Sequence, residues 1–203
     1  MYINVSDIQI PYEKFLIRAG YKKSGAPPDK NARILIEETL LTAKRLLKPK
    51  SAVLFSEIKL NGGSVLFNGG FKINSRFAAK LLEGCFKAYA IAVTIGPEIE
   101  KKRNELIAQK ETLRAFFLDA AGSVAVEEAA ETANARIKSF EEKQNNFVTR
   151  RFSPGYGDWE LKTQKDFLKW LGAGQIGISL TEACLMQPEK SVSAVIGAGK
   201  IIK

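Results

Sequence analysis

The densest group of residues able to do chemistry is Arg150-Arg151-Phe152-Ser153-Pro154-Gly155-Tyr156-Gly157-Asp158-Trp159. Pro-Gly forces a turn in which glycine can take a positive φ. Such a turn opens backbone amides and carbonyls to a ligand, beside a guanidinium able to grip a carboxylate through two parallel hydrogen bonds. Tyr156 and Trp159 add aromatic surface for a planar group or a cation. Ordinary turns share this composition, so the residues alone leave a binding bend and a plain turn both open. A second group lies on a long helical stretch. Phe116, Ala120, Ser123, Glu127, Ala130, Asn134 and Ile137 step alternately by four and three, which puts all seven on one face. Most are small, so a ligand or backbone can come close, and Glu127 sets a carboxylate in the middle. The same stripe also describes a helix packed on a sheet, with Glu127 at its solvent edge.

What is missing narrows the chemistry further. The 203 residues contain no histidine, so a Ser-His-Asp triad, a Cys-His dyad and any His-ligated zinc, cobalt or haem are excluded. Cys85 and Cys184 are too few for a disulfide framework and have no metal-type spacing. They read as buried small apolar residues in a reducing cytoplasm. Gly172-Ala173-Gly174-Gln175-Ile176-Gly177 fits G-x-G-x-x-G, but a dinucleotide fingerprint needs a strand before it and a helix after it. Here Lys165–Leu171 reads as a helix, so the glycines mark its C-terminus. Gly197-Ala198-Gly199-Lys200 lacks the first P-loop glycine, because Ala194 stands there, and Ile201 stands where Ser or Thr is needed. The net charge of +9 raises a nucleic-acid partner, yet the basic residues alternate with acids, as in Lys101-Lys102-Arg103 beside Glu98, Glu100 and Glu105. The reading is a solvated basic surface that binds no nucleic acid. With no long apolar run and no signal segment, the sequence predicts a cytoplasmic protein with no membrane span.

The elements that must position these residues follow from periodicity and punctuation. The first ten residues read as an edge strand stopped by Pro11, followed by a short helix to Ala19 and a loop over Tyr21–Pro28. Asp29 caps a helix to about Leu47. Ala52–Leu60, Ser64–Phe67 and Phe71–Ile73 form a meander whose turns are Asn61-Gly62-Gly63 and Asn68-Gly69-Gly70. Ser75 caps a helix to Leu82. Phe86–Ile95 is a nearly continuous apolar run and reads as a central strand, and Gly96-Pro97-Glu98 leads from it into a helix. A long helix covers Glu111–Phe140, then come a strand over Asn146–Phe152, a helix over Leu161–Leu171 and a short last strand over Ser191–Ile196. The mixture predicts an α+β fold with a twisted, largely antiparallel sheet and packed helices, as one domain over residues 1–203.

Arg151-Phe152-Ser153-Pro154-Gly155-Tyr156 resembles the R-x-x-x-G-Y signature of the activation domain of cobalamin-dependent methionine synthase. As in that family, Leu180-Thr181-Glu182 and Pro188-Glu189-Lys190-Ser191-Val192-Ser193 follow at similar separation. Thr94–Glu100 and the stretch from Asp119 to Glu127 resemble stand-alone relatives of the domain. The likeness covers about residues 85 to 196. It implies an S-adenosylmethionine (AdoMet) site along one groove. Arg151 would meet the methionyl carboxylate, Phe152, Ser153 and Pro154 would give backbone contacts, and Gly155 would permit the turn. Tyr156 would face the ligand or the corrin, and Glu127 would be the ligand-contacting acid of the long helix. Three features depart from the family. The family's N-terminal acid has no counterpart near Ile8-Gln9-Ile10-Pro11, Asp7 being the nearest acid. Ile196 stands where the family has a tyrosine. The segment after Tyr156 lacks the cysteine and prolines common in the full-length enzymes.

The resemblance further implies a role in reactivation, in which cob(II)alamin is reduced by one electron and methylated from AdoMet. Holding a sulfonium methyl in line with cobalt is catalysis by positioning and asks for no acid, base or metal from the chain. Without a lower-ligand histidine, this chain must find its cobalamin on a partner, a methionine synthase or another corrinoid protein. A flavodoxin-like electron donor is implied as well, and the positive charge suits an acidic one. Three other readings stand beside this one: an accessory protein of a different corrinoid methyltransferase, a basic RNA-binding module, and an AdoMet-binding regulator without chemistry.

Overall fold

The computed structural model describes residues 3–5, 7–22 and 25–200. In chain order the elements are α1 (Tyr12–Arg18), α2 (Lys30–Leu46), β1 (Lys50–Asn61), β2 (Ser64–Phe67), β3 (Lys72–Asn74), α3 (Arg76–Leu81), β4 (Cys85–Thr94), α4 (Glu98–Ala108), α5 (Thr112–Glu142), β5 (Asn146–Val148), α6 (Gln164–Leu171), β6 (Ser179–Leu180), β7 (Met186–Gln187) and β8 (Ser191–Lys200). Six strands form an antiparallel sheet in the order β3-β2-β1-β4-β8-β5, and β6 and β7 make a separate small hairpin. This is the α+β, antiparallel architecture that the sequence predicts.

Both faces of the sheet are covered, which explains the nearly continuous apolar run of β4. Tyr89, Ile91 and Val93 point into a core shared with α1, α2, α4 and α5. Ala88, Ala90 and Ala92 point into a second core shared with α3, α6 and Trp159. Successive side chains alternate across a strand, so the run encodes two interfaces, one bulky and one small. The helix ends follow their caps: Asp29 accepts from the Ala32 amide at 2.8 Å and Ser75 from the Ala78 amide at 2.9 Å. Gly172, at φ 73°, closes α6 in the left-handed conformation and a single 3-10 turn follows. The G-x-G-x-x-G match is therefore a helix end.

The structure departs from the predicted elements in four places. Residues 3–5 and 7–11 are irregular rather than an edge strand, with Ile3, Val5 and Ile8 buried against the α-helical core; Met1, Tyr2 and Ser6 lie outside the described residues. The predicted strand over Asn146–Phe152 stops at Val148. The last strand is long rather than short, running on through Gly197 and Gly199 to Lys200. A Cβ on Gly199 would stand 2.4 Å from the Gly84 carbonyl oxygen, so these glycines let chain pack against chain. The β6–β7 hairpin is too short to leave a periodic signal.

Candidate functional site

The site begins where β5 fails. β5 and β8 pair in register as far as Val148 with Ala198, and the chain next meets β8 at Phe152 with Val195. The chain advances four residues while β8 advances three, a one-residue excess of the kind that makes a bulge and re-aims side chains. Thr149 stabilises the irregularity: its amide donates to the Gly197 carbonyl at 3.0 Å and its hydroxyl accepts from the Gly197 amide at 2.9 Å. Arg150 and Arg151 fall in this gap and line a groove instead of continuing the ladder.

Beyond Phe152 the bend closes on itself. Gly155, at φ 88°, donates its amide to the Trp159 carbonyl at 2.7 Å, and Tyr156 donates to Ser153 at 3.3 Å. Phe152 stacks on Trp159 with ring centroids 5.9 Å apart, and Trp159 is 1% exposed, edge-on to Phe167. The bend is also tied to α3. Asp158 accepts from the Ser75 hydroxyl, from the Arg76 amide at 2.7 Å and from the Phe77 amide at 3.3 Å. The Ser75 bond first, with these amides, holds the Asp158 carboxyl below its ordinary value, against the desolvation that opposes it.

The groove has a volume of about 1260 Å³. One wall is α5, through Glu127, Glu131 and Asn134. The opposite wall is the bend, through Arg151, Phe152, Ser153, Pro154 and Tyr156. Ser191, Val192 and Ser193 of β8 and the buried Gln164 lie between them. Gln164 donates to the Cys184 carbonyl at 2.8 Å and accepts from the Ser193 hydroxyl at 3.3 Å, so it is locked in place. Arg151 Nη2 stands 3.3 Å from Glu127 Oε2 and 3.5 Å from Glu131 Oε2. A second cleft of about 690 Å³ continues past Glu127 toward Ser123 and Lys190. There Lys190 Nζ meets Asp119 at 2.8 Å and Ser123 Oγ at 3.0 Å, while Arg103 binds Asp119 at 2.9 Å and Glu189 at 2.8 Å. Burial opposes ionisation of Asp119, but the hydrogen bonds from Lys190 and Arg103 outweigh it and hold its carboxyl below the ordinary value. The network clamps the segment entering β8 onto α4 and α5.

Six of the seven residues predicted for the site line this groove: Arg151, Phe152, Ser153, Pro154, Tyr156 and Glu127. Gly155 does not line it and serves the turn. The bend differs from the expectation of free amides, because the amides of Phe152, Gly155 and Tyr156 are all spent inside the chain. Trp159 lies in the core and gives the groove no surface. The α5 stripe is not one environment. Phe116 is 50% exposed and Ile137 is 2% exposed, with Ala120 and Ala130 buried and Glu127 exposed between them. Asp7 accepts from Gln9 at 3.2 Å and is not among the lining residues. Ile196 is fully buried in the core under α5. Glu131, one turn beyond Glu127, could have been found from its i,i+4 spacing. Gln164 and Leu185 reach the groove through tertiary packing that no local pattern announces.

The family model for the vitamin B12 dependent methionine synthase activation domain matches residues 83–201. No curated protein matches the chain. Among solved structures, the crystal structure of the MetH reactivation domain bound to AdoHcy superposes with a TM-score of 0.71 at 17% sequence identity, covering 100% of this chain and 78% of that one. At that identity the likeness establishes the fold. The family match spans more than half of the 203 residues, including Glu127, the Arg151–Tyr156 bend and β8. This chain belongs to the family of vitamin B12 dependent methionine synthase activation domains.

Proposed function

We propose that the chain binds AdoMet in the groove between α5 and the Arg151–Tyr156 bend and presents its methyl group to a cobalamin carried by a partner, for reductive methylation of cob(II)alamin. The observation that carries the reading is Arg151: the β5 bulge turns its guanidinium into a groove roomy enough for a nucleoside, facing two carboxylates. Pockets for small ligands are commonly about 300–1,000 Å³, so about 1260 Å³ holds such a molecule and leaves the mouth open to a second body. AdoMet, when bound, supplies a methyl made electrophilic by its sulfonium.

The chain's own residues orient and exclude. Arg151 is the group suited to the ligand's carboxylate. Phe152, Ser153 and Pro154 present main-chain atoms, and because the bend's amides are largely spent, their carbonyl oxygens, each with a second lone pair, serve the donors of the adenosine. Tyr156, 68% exposed, stands at the rim where a corrin would approach, and Phe77, Leu161 and Leu185 extend that apolar rim. No proton transfer is required, which suits a chain without histidine. The partner is a cobalamin-binding methionine synthase, and the +9 charge favours encounter with an acidic flavodoxin-like electron donor.

The test is conversion of partner-bound cob(II)alamin to methylcobalamin with AdoMet and a reductant, followed by absorbance. The chain should be required, and Tyr156→Ala should slow conversion while AdoMet affinity is kept. Equal conversion without the chain would end the proposal.

A further inference from the structure

The β5 bulge brings two consecutive arginines to the groove, and the proposed function uses only the second. Five charged side chains line it: Glu127, Glu131, Glu189, Arg150 and Arg151. Arg151 pairs with Glu127 and Glu131, and Glu189 pairs with Arg103 of α4. Arg150 is exposed, and among the described residues its guanidinium has no ion pair and no hydrogen bond. Its main-chain carbonyl accepts from the Thr149 hydroxyl at 3.0 Å, which fixes the backbone from which the side chain leaves.

AdoMet does not supply the missing anion. It brings one carboxylate, which Arg151 takes, and its sulfonium and ammonium repel a second guanidinium. In the free chain water solvates Arg150. A body that covers the groove strips that water away, and a charge taken out of water is costly unless an anion meets it. The covering body is the carrier of the cobalamin, because cobalt has to come within reach of the methyl. The corrin does not bring the anion either. Its peripheral groups are neutral amides, and the phosphate of its nucleotide loop hangs on the face opposite the one that accepts methyl. A carboxylate side chain of the carrier protein is left. The surroundings suit such a contact: Tyr156 and Phe77, 68% and 60% exposed, line the same groove, and exposed aromatics with an arginine are what protein interfaces favour.

We infer that Arg150 is a docking residue, pairing with an Asp or Glu side chain of the cobalamin carrier when the carrier closes over Tyr156 and Phe77. The inference rests on the groove being the site of methyl transfer to a carried cobalamin, and it names the charge that the partner surface must present there. Arg150 guides and holds the partner and touches neither AdoMet nor cobalt.

The test uses the full chain, saturating AdoMet, a small chemical reductant and a cobalamin-loaded methionine synthase lacking its own activation domain. The KM for that carrier is measured at low and high salt for the wild type, Arg150→Lys, Arg150→Gln and Arg150→Glu. At low salt Lys should stay near wild type, Gln should raise KM about fivefold, and Glu should raise it further, as for loss and reversal of one interfacial charge. High salt should draw the four values together. Calorimetry should find the same AdoMet affinity in the wild type and Arg150→Gln. Equal carrier KM in all four proteins, or a rise that salt does not reduce, would overturn the inference and leave the AdoMet site standing. A loss of AdoMet affinity in Arg150→Gln would also overturn it, by assigning the guanidinium to the ligand. Failure of the wild type to bind AdoMet or to methylate the carrier would remove the proposed function and the inference together.

Discussion

Phe152 and Val195 exchange both main-chain hydrogen bonds, at 3.0 and 2.8 Å, one residue out of step with the ladder that precedes them. That single bridge re-anchors the chain after the bulge and sets where Arg151 and the Pro154-Gly155 turn stand. The far end of the bend is fixed by Asp158 on the first turn of α3. The groove wall is thus a short span held at both ends.

The Asp158 anchor should be pH-dependent. Its carboxyl titrates below its ordinary value in the folded chain, chiefly because of the Ser75 hydroxyl. Its stabilising contribution is therefore complete above the ordinary carboxylate range and is lost as pH falls through the folded value. Asp158→Asn should lower the melting temperature near neutral pH, and the gap from wild type should close in acid. A gap independent of pH would show that the carboxylate charge is not what holds the bend.

Glu141 is fully buried and accepts from the Tyr89 hydroxyl and from Asn146 Nδ2 at 2.6 Å, with Lys87 Nζ at 2.9 Å. It joins the end of α5 to β4 and β5. Glu141→Ala leaves Lys87 without its counter-charge in a half-closed site and should cost about 3–5 kcal/mol in urea unfolding. A loss of under about 1 kcal/mol would mean that water repairs the cluster.

Gly199 separates strand packing from nucleotide binding. Gly199→Ala would set a Cβ 2.4 Å from the Gly84 carbonyl oxygen and 2.6 Å from the Phe147 ring. It should destabilise the fold by roughly 1–3 kcal/mol. Lys200→Ala, at an exposed position, should stay within about 0.5 kcal/mol of wild type. Equal effects of the two changes in chemical denaturation would contradict this reading of the glycines.

The legible parts of the sequence were those with local causes. Asn-Gly turns, the Asp29 and Ser75 caps and the two-faced run of β4 each follow from side-chain chemistry within a few residues. Glu127 and Arg151 were legible as residues, and the family resemblance made them a pair. The bulge was not legible, because it arises from a register difference between segments some 45 positions apart. The burial of Trp159 was hidden for a related reason: Phe152 and Phe167 enclose it from different elements. The N-terminal alternation marks Ile3, Val5 and Ile8 as core residues, and the described part of that segment runs irregularly beside β1, where the Ile3 carbonyl accepts from the Ser51 hydroxyl at 2.6 Å.

The central claim is that the Arg151 guanidinium holds the carboxylate of AdoMet, and calorimetric titration of AdoMet into the wild type and Arg151→Ala tests it most directly. The account predicts saturable binding by the wild type and a loss of about 1.5–3 kcal/mol on removing the guanidinium. Absence of binding by the wild type, or the same affinity in both proteins, would contradict it.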